Sequence, residues 1–191
     1  MHDLPALRRA AWTQRLLTCM DGLAGASSGL DASYLSEALA SIASWDGCPH
    51  AQDVFRGEAF SYRRIPLTRR DAQAYEALLI AWPPGHATPI HDHGGLWGLV
   101  FVLDGALDEE AFAVSADDGL RLDYRGAMTA QPGDCLCVTD ADYAHRCRNP
   151  SPTHPALSLH LYGGWLDGYR RFDEEAGRWT ATAQQSVREH E

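Results

Sequence analysis

The chain has 191 residues, of which 45% are hydrophobic and 22% are charged, an ordinary composition for one globular domain. Its formal net charge of −10 argues against nucleic acid or an anionic membrane as a partner. The first residues lack a basic segment followed by an apolar one, and no apolar stretch approaches the ~20 residues of a membrane span. We therefore expect a cytoplasmic protein.

The chain contains five cysteines, an odd number without the framework of a secreted disulfide-rich domain. Cys135 and Cys137 form a CxC pair inside an apolar run, so we interpret them as small residues of a strand. Thiols of this kind fit a reducing compartment.

Residues 5–45 show the apolar spacing of two helices, separated by a Gly- and Ser-rich loop at 24–29. Asp31 is a candidate N-cap of the second helix. The two apolar stripes consist of Trp12, Leu16, Cys19 and Leu23, and of Leu35, Leu39 and Ile42. A change of pattern at residues 46–49 ends this helical segment.

Short runs rich in β-branched, aromatic and aliphatic residues follow, separated by Gly, Pro and Asp. We predict strands at 60–67, 77–82, 96–103, 110–114, 120–124, 135–138 and 156–162. This spacing indicates a sandwich or a jelly-roll barrel. The prediction is a single domain, in which N-terminal helices (1–50) pack on a mainly β barrel (58–165) and a polar C-terminal tail (166–191) frays.

A candidate metal site begins with His91 and His93, because positions i and i+2 of a strand share one face. A third histidine on a facing strand would complete a facial triad. The candidates are His86, His145, His154 and His160. His145 has the best context, because it lies just past a Pro-Gly-Asp turn and is followed by Asn149. An isolated His-x-His pair is more often an ordinary surface or core pair.

These two stretches resemble the metal-binding signature of the cupin superfamily, whose fold is a jelly-roll β-barrel. Gly85-x5-His91-x-His93-x4-Gly98-x6-Gly105 matches the first motif, but Gly98 stands where most cupins carry a glutamate ligand. Three imidazoles leave coordination positions open, whereas a structural zinc site uses four protein ligands. Open positions suit a non-haem Fe(II) site that binds substrate and dioxygen together.

A second polar set follows from Ser158, His160 and Tyr162, which share one face of a predicted strand while leucines occupy the other. If the polar face lines the barrel, the three groups must hydrogen-bond, and a Ser–His–Tyr chain aimed at the metal satisfies them. The leucines then face the N-terminal helices. The alternative is an exposed polar face over buried leucines.

Together these segments resemble the cysteine dioxygenase family over residues 58–173. The resemblance includes Trp82, the spacing of 52 from His93 to His145, and the closing Phe172-Asp173. It implies one Fe(II) per chain and oxidation of a small thiol with O2 to a sulfinic acid. By position, the family's metal ligands correspond to His91, His93 and His145, and its outer-sphere catalytic residues to Ser158, His160 and Tyr162.

The same resemblance implies a substrate-binding arginine. Tyr62 and Arg64 fall on the same face of a predicted strand, and members that use cysteine carry an arginine there for the carboxylate. Arg64 aligns best, with Arg63 as the alternative and an ordinary surface arginine as the plain interpretation. Gly98 replaces the cysteine that is cross-linked to tyrosine in animal members, so Tyr162 should be a free phenol.

L-cysteine is the substrate expected first. Within the class, 3-mercaptopropionate or mercaptosuccinate is an alternative, with a second anion contact from Arg125, Arg146 or Arg148. Outside it, the chain could be a non-catalytic metal- or ligand-binding cupin, or a zinc- or manganese-dependent isomerase. The oligomeric state and the role of the N-terminal helices stay open.

Overall fold

Helices come first in the computed structural model, which describes residues 4–24, 32–55, 61–117, 119–138, 140 and 142–189. They are α1 (Leu4–Ala24), α2 (Ala32–Ala43) and the short α3 (Ala51–Val54). The predicted helical segment is thus confirmed. The predicted loop after α1 and the Asp31 cap lie outside the described residues. None of the helices in these ranges is long and apolar enough to cross a membrane.

The strands of the described residues form two antiparallel sheets. They are β1 (Arg63–Pro66), β2 (Glu76–Trp82), β3 (Ile90–His91), β4 (Gly98–Asp104), β5 (Leu107–Ser115), β6 (Arg121–Ala130), β7 (Cys135–Val138), β8 (Tyr143–Arg148), β9 (Ala156–Tyr162), β10 (Gly168–Glu175) and β11 (Arg178–Gln185). One sheet has the order β1-β2-β9-β4-β7, and the other has the order β11-β10-β3-β8-β5-β6. Val100 of the first sheet and Leu107 of the second share one buried core cluster, so the sheets pack face to face. The mainly β cupin jelly roll is confirmed.

The two faces of strand β9, which belongs to the five-stranded sheet, lie in different surroundings. Its leucines, Leu157, Leu159 and Leu161, pack in one core cluster with Trp12 and Leu16 of α1. Because side chains alternate along a strand, Ser158, His160 and Tyr162 turn to the opposite side, between the sheets. All seven residues of β9 are buried. The polar face therefore lines the barrel interior, and the helices cover the apolar face.

The C-terminal segment differs from the prediction of a frayed tail. Residues 168–185 form the β10–β11 hairpin, which pairs with β3 and extends the six-stranded sheet. Phe172 is buried in a core cluster with Ala144. The turn uses Ala176 (φ 49°) and Gly177 (φ 75°), rather than the Asn-Gly pair that usually indicates such a turn. The hairpin's mostly polar, exposed side chains hid it from a hydrophobic pattern.

Other strands also differ from the prediction in their boundaries. The two short strands β3 and β8, which carry His91 and His145, were not predicted as separate strands. Strands β5 and β6 are longer than predicted and pair through a bulge near Ala111. Strand β1 begins at Arg63, so the start of the predicted strand lies outside the observed one.

Candidate metal centre and cavity

Three histidines meet between the sheets. His91 of β3 lies directly opposite His145 of β8 in the antiparallel ladder, and His93 follows two residues after His91. The nitrogen atoms that these three side chains can offer a metal lie within 4.8 Å of one another. The Nε2 atoms of His93 and His145 are 3.1 Å apart. The structure thus brings together the three predicted ligands.

His93 lies beyond the end of β3, so the alternation of side chains along a strand does not explain the direction of its ring. The intervening Asp92 is 97% buried and holds the turn. Its Oδ1 accepts from the backbone N–H of Arg170 at 2.7 Å, and its Oδ2 accepts from the Arg170 side chain at 2.6 Å. This anchor to β10 was not foreseen from the sequence.

The electrostatics of the cluster suit a cation. Burial lowers the pKa of His91 to about 3 and keeps that of His93 well below its usual value. Burial also lowers the pKa of His145, but Cys147 and the carboxylate of Glu109 outweigh it and raise that pKa to about 10. The Nε2 atoms of His93 and His145 face each other, so a proton can be shared between the two rings. A metal ion would take the place of this proton.

The other histidine candidates lie elsewhere. His86 lines the cavity beside the cluster and stacks on Tyr62 with ring centroids 4.5 Å apart. His154 is exposed and contacts Thr153. His160 belongs to a separate hydrogen-bonded chain. Donor chemistry therefore fits a metal on three neutral imidazoles, without a carboxylate in that cluster.

That hydrogen-bonded chain, the relay, runs from Trp82 through Ser158 and His160 to Tyr162. Trp82 Nε1–H donates to Ser158 Oγ at 2.8 Å. Ser158 Oγ lies 2.9 Å from His160 Nε2, and His160 Nδ1 lies 3.2 Å from the hydroxyl of Tyr162. The ring of Tyr162 packs edge-on against His93, with centroids 5.0 Å apart. The relay ends beside the histidine cluster, with Tyr162 as its final member.

A cavity of about 400 Å³ joins the histidine cluster to Arg64. The Nε and Nη2 atoms of Arg64 are buried without a hydrogen-bond partner among the described residues. Arg63 points elsewhere, because it binds both carboxylate oxygens of Glu189, at 2.7 and 2.9 Å, and the carbonyl of Val54. The geometry therefore favours Arg64 over Arg63 as the arginine of the cavity.

The segment 185–189 begins at the last residue of β11, and its residues Gln185, Val187, Arg188 and Glu189 line one side of this cavity. Arg188 of this segment donates to the fully buried carboxylate of Glu76 and to the carbonyl of Leu166, each at 2.9 Å through Nη2. The backbone N–H of Glu189 donates to the carbonyl of Arg64 at 3.0 Å. The sequence pattern did not indicate that this segment lines a cavity, because the segment lies in the polar stretch that predicts a frayed tail.

Gly98 lies beside the rings of His93 and Tyr162. A Cβ at this position would stand 2.5 Å from Nδ1 of His93 and 3.3 Å from Cδ1 of Tyr162. Tyr162 has no cysteine side chain at position 98 to form a cross-link, and its hydroxyl contacts His160 instead. Burial raises the pKa of Tyr162 to about 12, so its phenol stays protonated.

The arginines considered for a second anion contact do not line this cavity. Arg146 and Arg148 line a different surface depression, where Arg146 pairs with Glu110. Arg125 is exposed on β6. Arg188 does line the cavity, but Glu76 already neutralises it.

The comparisons with known proteins agree with these features. Residues 61–175 match the family model "Cysteine dioxygenase type I". Cysteine dioxygenase type 1 of Homo sapiens is 30% identical over 103 residues, which cover 54% of this chain and 52% of the human protein. The Danio rerio protein is 32% identical over 106 residues, with the same coverages.

The chain thus spans about half the length of these curated relatives. Among solved structures, hydroquinone 1,2-dioxygenase from Sphingomonas sp. TTNP3 aligns with 61% of this chain and 74% of its own, at 14% identity and a TM-score of 0.46. The family model covers more than half of the chain, including both metal motifs and the relay strand. The chain belongs to the cysteine dioxygenase type I family.

Proposed function

We propose that the protein is a non-haem Fe(II) thiol dioxygenase that uses O2 to oxidise a small carboxylated thiol, L-cysteine first, to its sulfinic acid. One observation supports this most directly. The guanidinium of Arg64, with two nitrogen atoms buried and unpaired among the described residues, shares a cavity with His91 and His145. A buried cation without a counter-charge is costly, so the site calls for an anionic ligand beside the metal.

His91, His93 and His145 are the residues that would hold the iron. Iron(II) bound there, with coordination positions open, would supply the redox chemistry that joins dioxygen to a thiolate sulfur. Family membership and the three-histidine cluster support a metal of this kind.

Arg64 is the residue we assign to the substrate carboxylate. A guanidinium and a carboxylate form two parallel hydrogen bonds, and this fixes both the position and the orientation of the ligand. Tyr62 lines the same cavity, and burial raises the pKa of its phenol, so it stays a neutral donor. Holding the carboxylate at these two residues would point the thiol toward the histidines, and such positioning lowers the barrier to reaction.

Tyr162 is the residue we assign to stabilising charge that develops during the reaction. Its phenol is protonated and its orientation is fixed by the relay, so it can donate a hydrogen bond without rearranging. The side chains of Ile80, Trp82 and Leu166 give this side of the cavity a largely apolar lining.

The charge balance of the cavity favours a thiol with one carboxylate over mercaptosuccinate, which has two. Within the described part of the chain, Arg64 lines the cavity with unpaired buried nitrogen atoms, whereas Arg188 is engaged by Glu76. A second carboxylate would have to displace Glu76. Both L-cysteine and 3-mercaptopropionate satisfy this balance.

The test is anaerobic loading with Fe(II), followed by oxygen consumption and sulfinate detection with L-cysteine, 3-mercaptopropionate, mercaptosuccinate and cysteamine. We expect turnover with a monocarboxylated thiol and one sulfinate per O2 consumed. His145→Ala should lose iron and activity together. Full iron binding and activity in that variant, or oxygen uptake without sulfinate, would overturn the proposal.

A further inference from the structure

A buried carboxylate stands behind one of the three histidines. Glu109 of β5 is 95% buried, and its Oε1 lies 2.6 Å from Nδ1 of His145. The ladder explains the contact, because Glu109 lies opposite Cys147 while His145 lies opposite Ala111. Glu109 and His145 are therefore diagonal neighbours on one face of the sheet.

The contact fixes which nitrogen of His145 can bind a metal. A hydrogen bond from Nδ1–H to a carboxylate leaves Nε2 as the free donor atom, and Nε2 is the atom that faces His93. The 2.6 Å separation of Nδ1 from Oε1 fits a direct, charge-assisted hydrogen bond. Glu109, His145 and Cys147 also form a cluster that could hold a metal, but this hydrogen bond already occupies Nδ1 of His145.

The three histidines are supported unequally. Nδ1 of His91 lies 3.0 Å from the carbonyl oxygen of Pro89, and Nδ1 of His93 is buried without a partner in the described part of the chain. Within the described ranges, His145 alone among the three has a carboxylate at its Nδ1. A three-histidine site has no anionic ligand, so Glu109 is positioned to supply the missing negative charge.

Resting on the proposed function, we propose that Glu109 is a positioning residue that fixes His145 and, through it, tunes the iron. Its negative charge makes the imidazole a stronger donor and favours the more positive iron. Loss of the charge should therefore weaken metal binding and raise the Fe(III)/Fe(II) potential. Glu109→Gln keeps the size and a hydrogen-bond acceptor but removes the charge, so it separates charge from packing.

The matched control is Glu110→Gln. Glu110 is the next residue along β5, but it faces outward and pairs with Arg146 on the surface. Both variants lose one negative charge from the same strand. The contrast between them isolates the carboxylate that contacts His145, and thermal unfolding of the metal-free proteins reports whether each variant folds.

The experiment titrates metal-free wild type and both variants with Fe(II) under anaerobic conditions against a competing chelator, and then measures the potential of the loaded proteins. We expect Glu109→Gln to lose about 10- to 100-fold in affinity and to show a higher potential. Glu110→Gln should match the wild type in both. Glu109→Gln with wild-type affinity and potential would overturn this inference alone, whereas a wild type that binds no iron would overturn the proposed function.

Discussion

The indole N–H of Trp82 donates to the hydroxyl oxygen of Ser158 at 2.8 Å, and this contact indicates a direction for the relay. An indole nitrogen can only donate, so the hydroxyl of Ser158 accepts there, and we infer that it gives its own proton to Nε2 of His160, 2.9 Å away. Burial keeps the pKa of His160 well below its usual value, so the ring is neutral. Its proton is then on Nδ1 and points at the oxygen of Tyr162, whose O–H is left to donate into the cavity.

Trp82→Phe should therefore reduce turnover more than substrate binding. The variant removes the donor that orients Ser158, and a buried hydrogen bond of this kind contributes about 1 kcal/mol, or about fivefold in rate. We expect kcat to fall about fivefold with a KM for the thiol close to wild type, measured at equal iron content.

Trp12→Phe is the matched control for that loss. Trp12 is buried on the helical side of the five-stranded sheet and donates its indole N–H to the carbonyl of Ile42 at 3.0 Å. Its replacement also removes one buried indole hydrogen bond, so stability should fall while kcat is retained. Equal losses of kcat in the two variants would contradict the proposed direction of the relay.

The features that the sequence revealed depend on short-range periodicity. Ser158, His160 and Tyr162 share a face because side chains alternate along a strand, and this local rule requires no knowledge of the partner strands. The same rule predicted that His91 and His93 share a face, although His93 lies beyond the end of β3. Sequence context then indicated His145 and family resemblance indicated Arg64, but a local pattern could not separate Arg64 from Arg63.

The features that the sequence did not reveal depend on contacts between distant residues. Glu109 and His145 are 36 positions apart, and Glu76 and Arg188 are 112 apart. A charged residue in a strand is usually solvated, so the residue type does not mark either carboxylate as buried. One signal was present: Glu109 is two positions after Leu107 in β5, on the inward-facing side of the strand.

Arg64→Ala should impair oxidation of carboxylated thiols selectively. Hydrogen bonds to a charged group contribute about 1.5 to 3 kcal/mol, so kcat/KM for L-cysteine should fall about 10- to 100-fold. Oxidation of cysteamine, which has no carboxylate, should change little. Iron content should stay at the wild-type level, because the three histidines are untouched.

Arg63→Ala provides the comparison for Arg64→Ala. Arg63 is the adjacent residue of β1, but it is bound to Glu189 rather than directed into the cavity. We expect the Arg63→Ala variant to retain most of the wild-type kcat/KM for L-cysteine. A larger loss in Arg63→Ala than in Arg64→Ala would reverse the assignment of the carboxylate-binding residue.

Gly98→Ala should weaken metal binding although it replaces none of the three histidines. The added Cβ would stand 2.5 Å from Nδ1 of His93, so the imidazole must move. Forcing an extra carbon into a packed interior costs about 1 to 3 kcal/mol, and the displaced ring should lower iron affinity about tenfold or more. Anaerobic Fe(II) titration and thermal unfolding measure the two effects.

Gly22→Ala controls for the exchange of glycine for alanine. Gly22 lies in α1, and a Cβ there meets no atom within 4 Å. Alanine is the better helix former, so this variant should be as stable as the wild type or more so, with unchanged iron affinity. If Gly98→Ala binds iron as tightly as Gly22→Ala does, the close approach of Gly98 to His93 does not restrict the metal site.

Arg188→Ala should destabilise the protein strongly, because it leaves the carboxylate of Glu76 buried without its counter-charge. Glu76 is fully buried on β2, and Arg188 binds it from the segment after β11. Breaking a buried ion pair from one side costs about 3 to 5 kcal/mol of unfolding free energy.

Arg171→Ala removes an exposed arginine that pairs with Asp173 and should leave stability nearly unchanged. The double variant Arg188→Ala/Glu76→Gln removes the uncompensated charge, so denaturant unfolding should show partial recovery. A double variant no more stable than Arg188→Ala would mean that the loss comes from packing of the 185–189 segment rather than from the isolated charge.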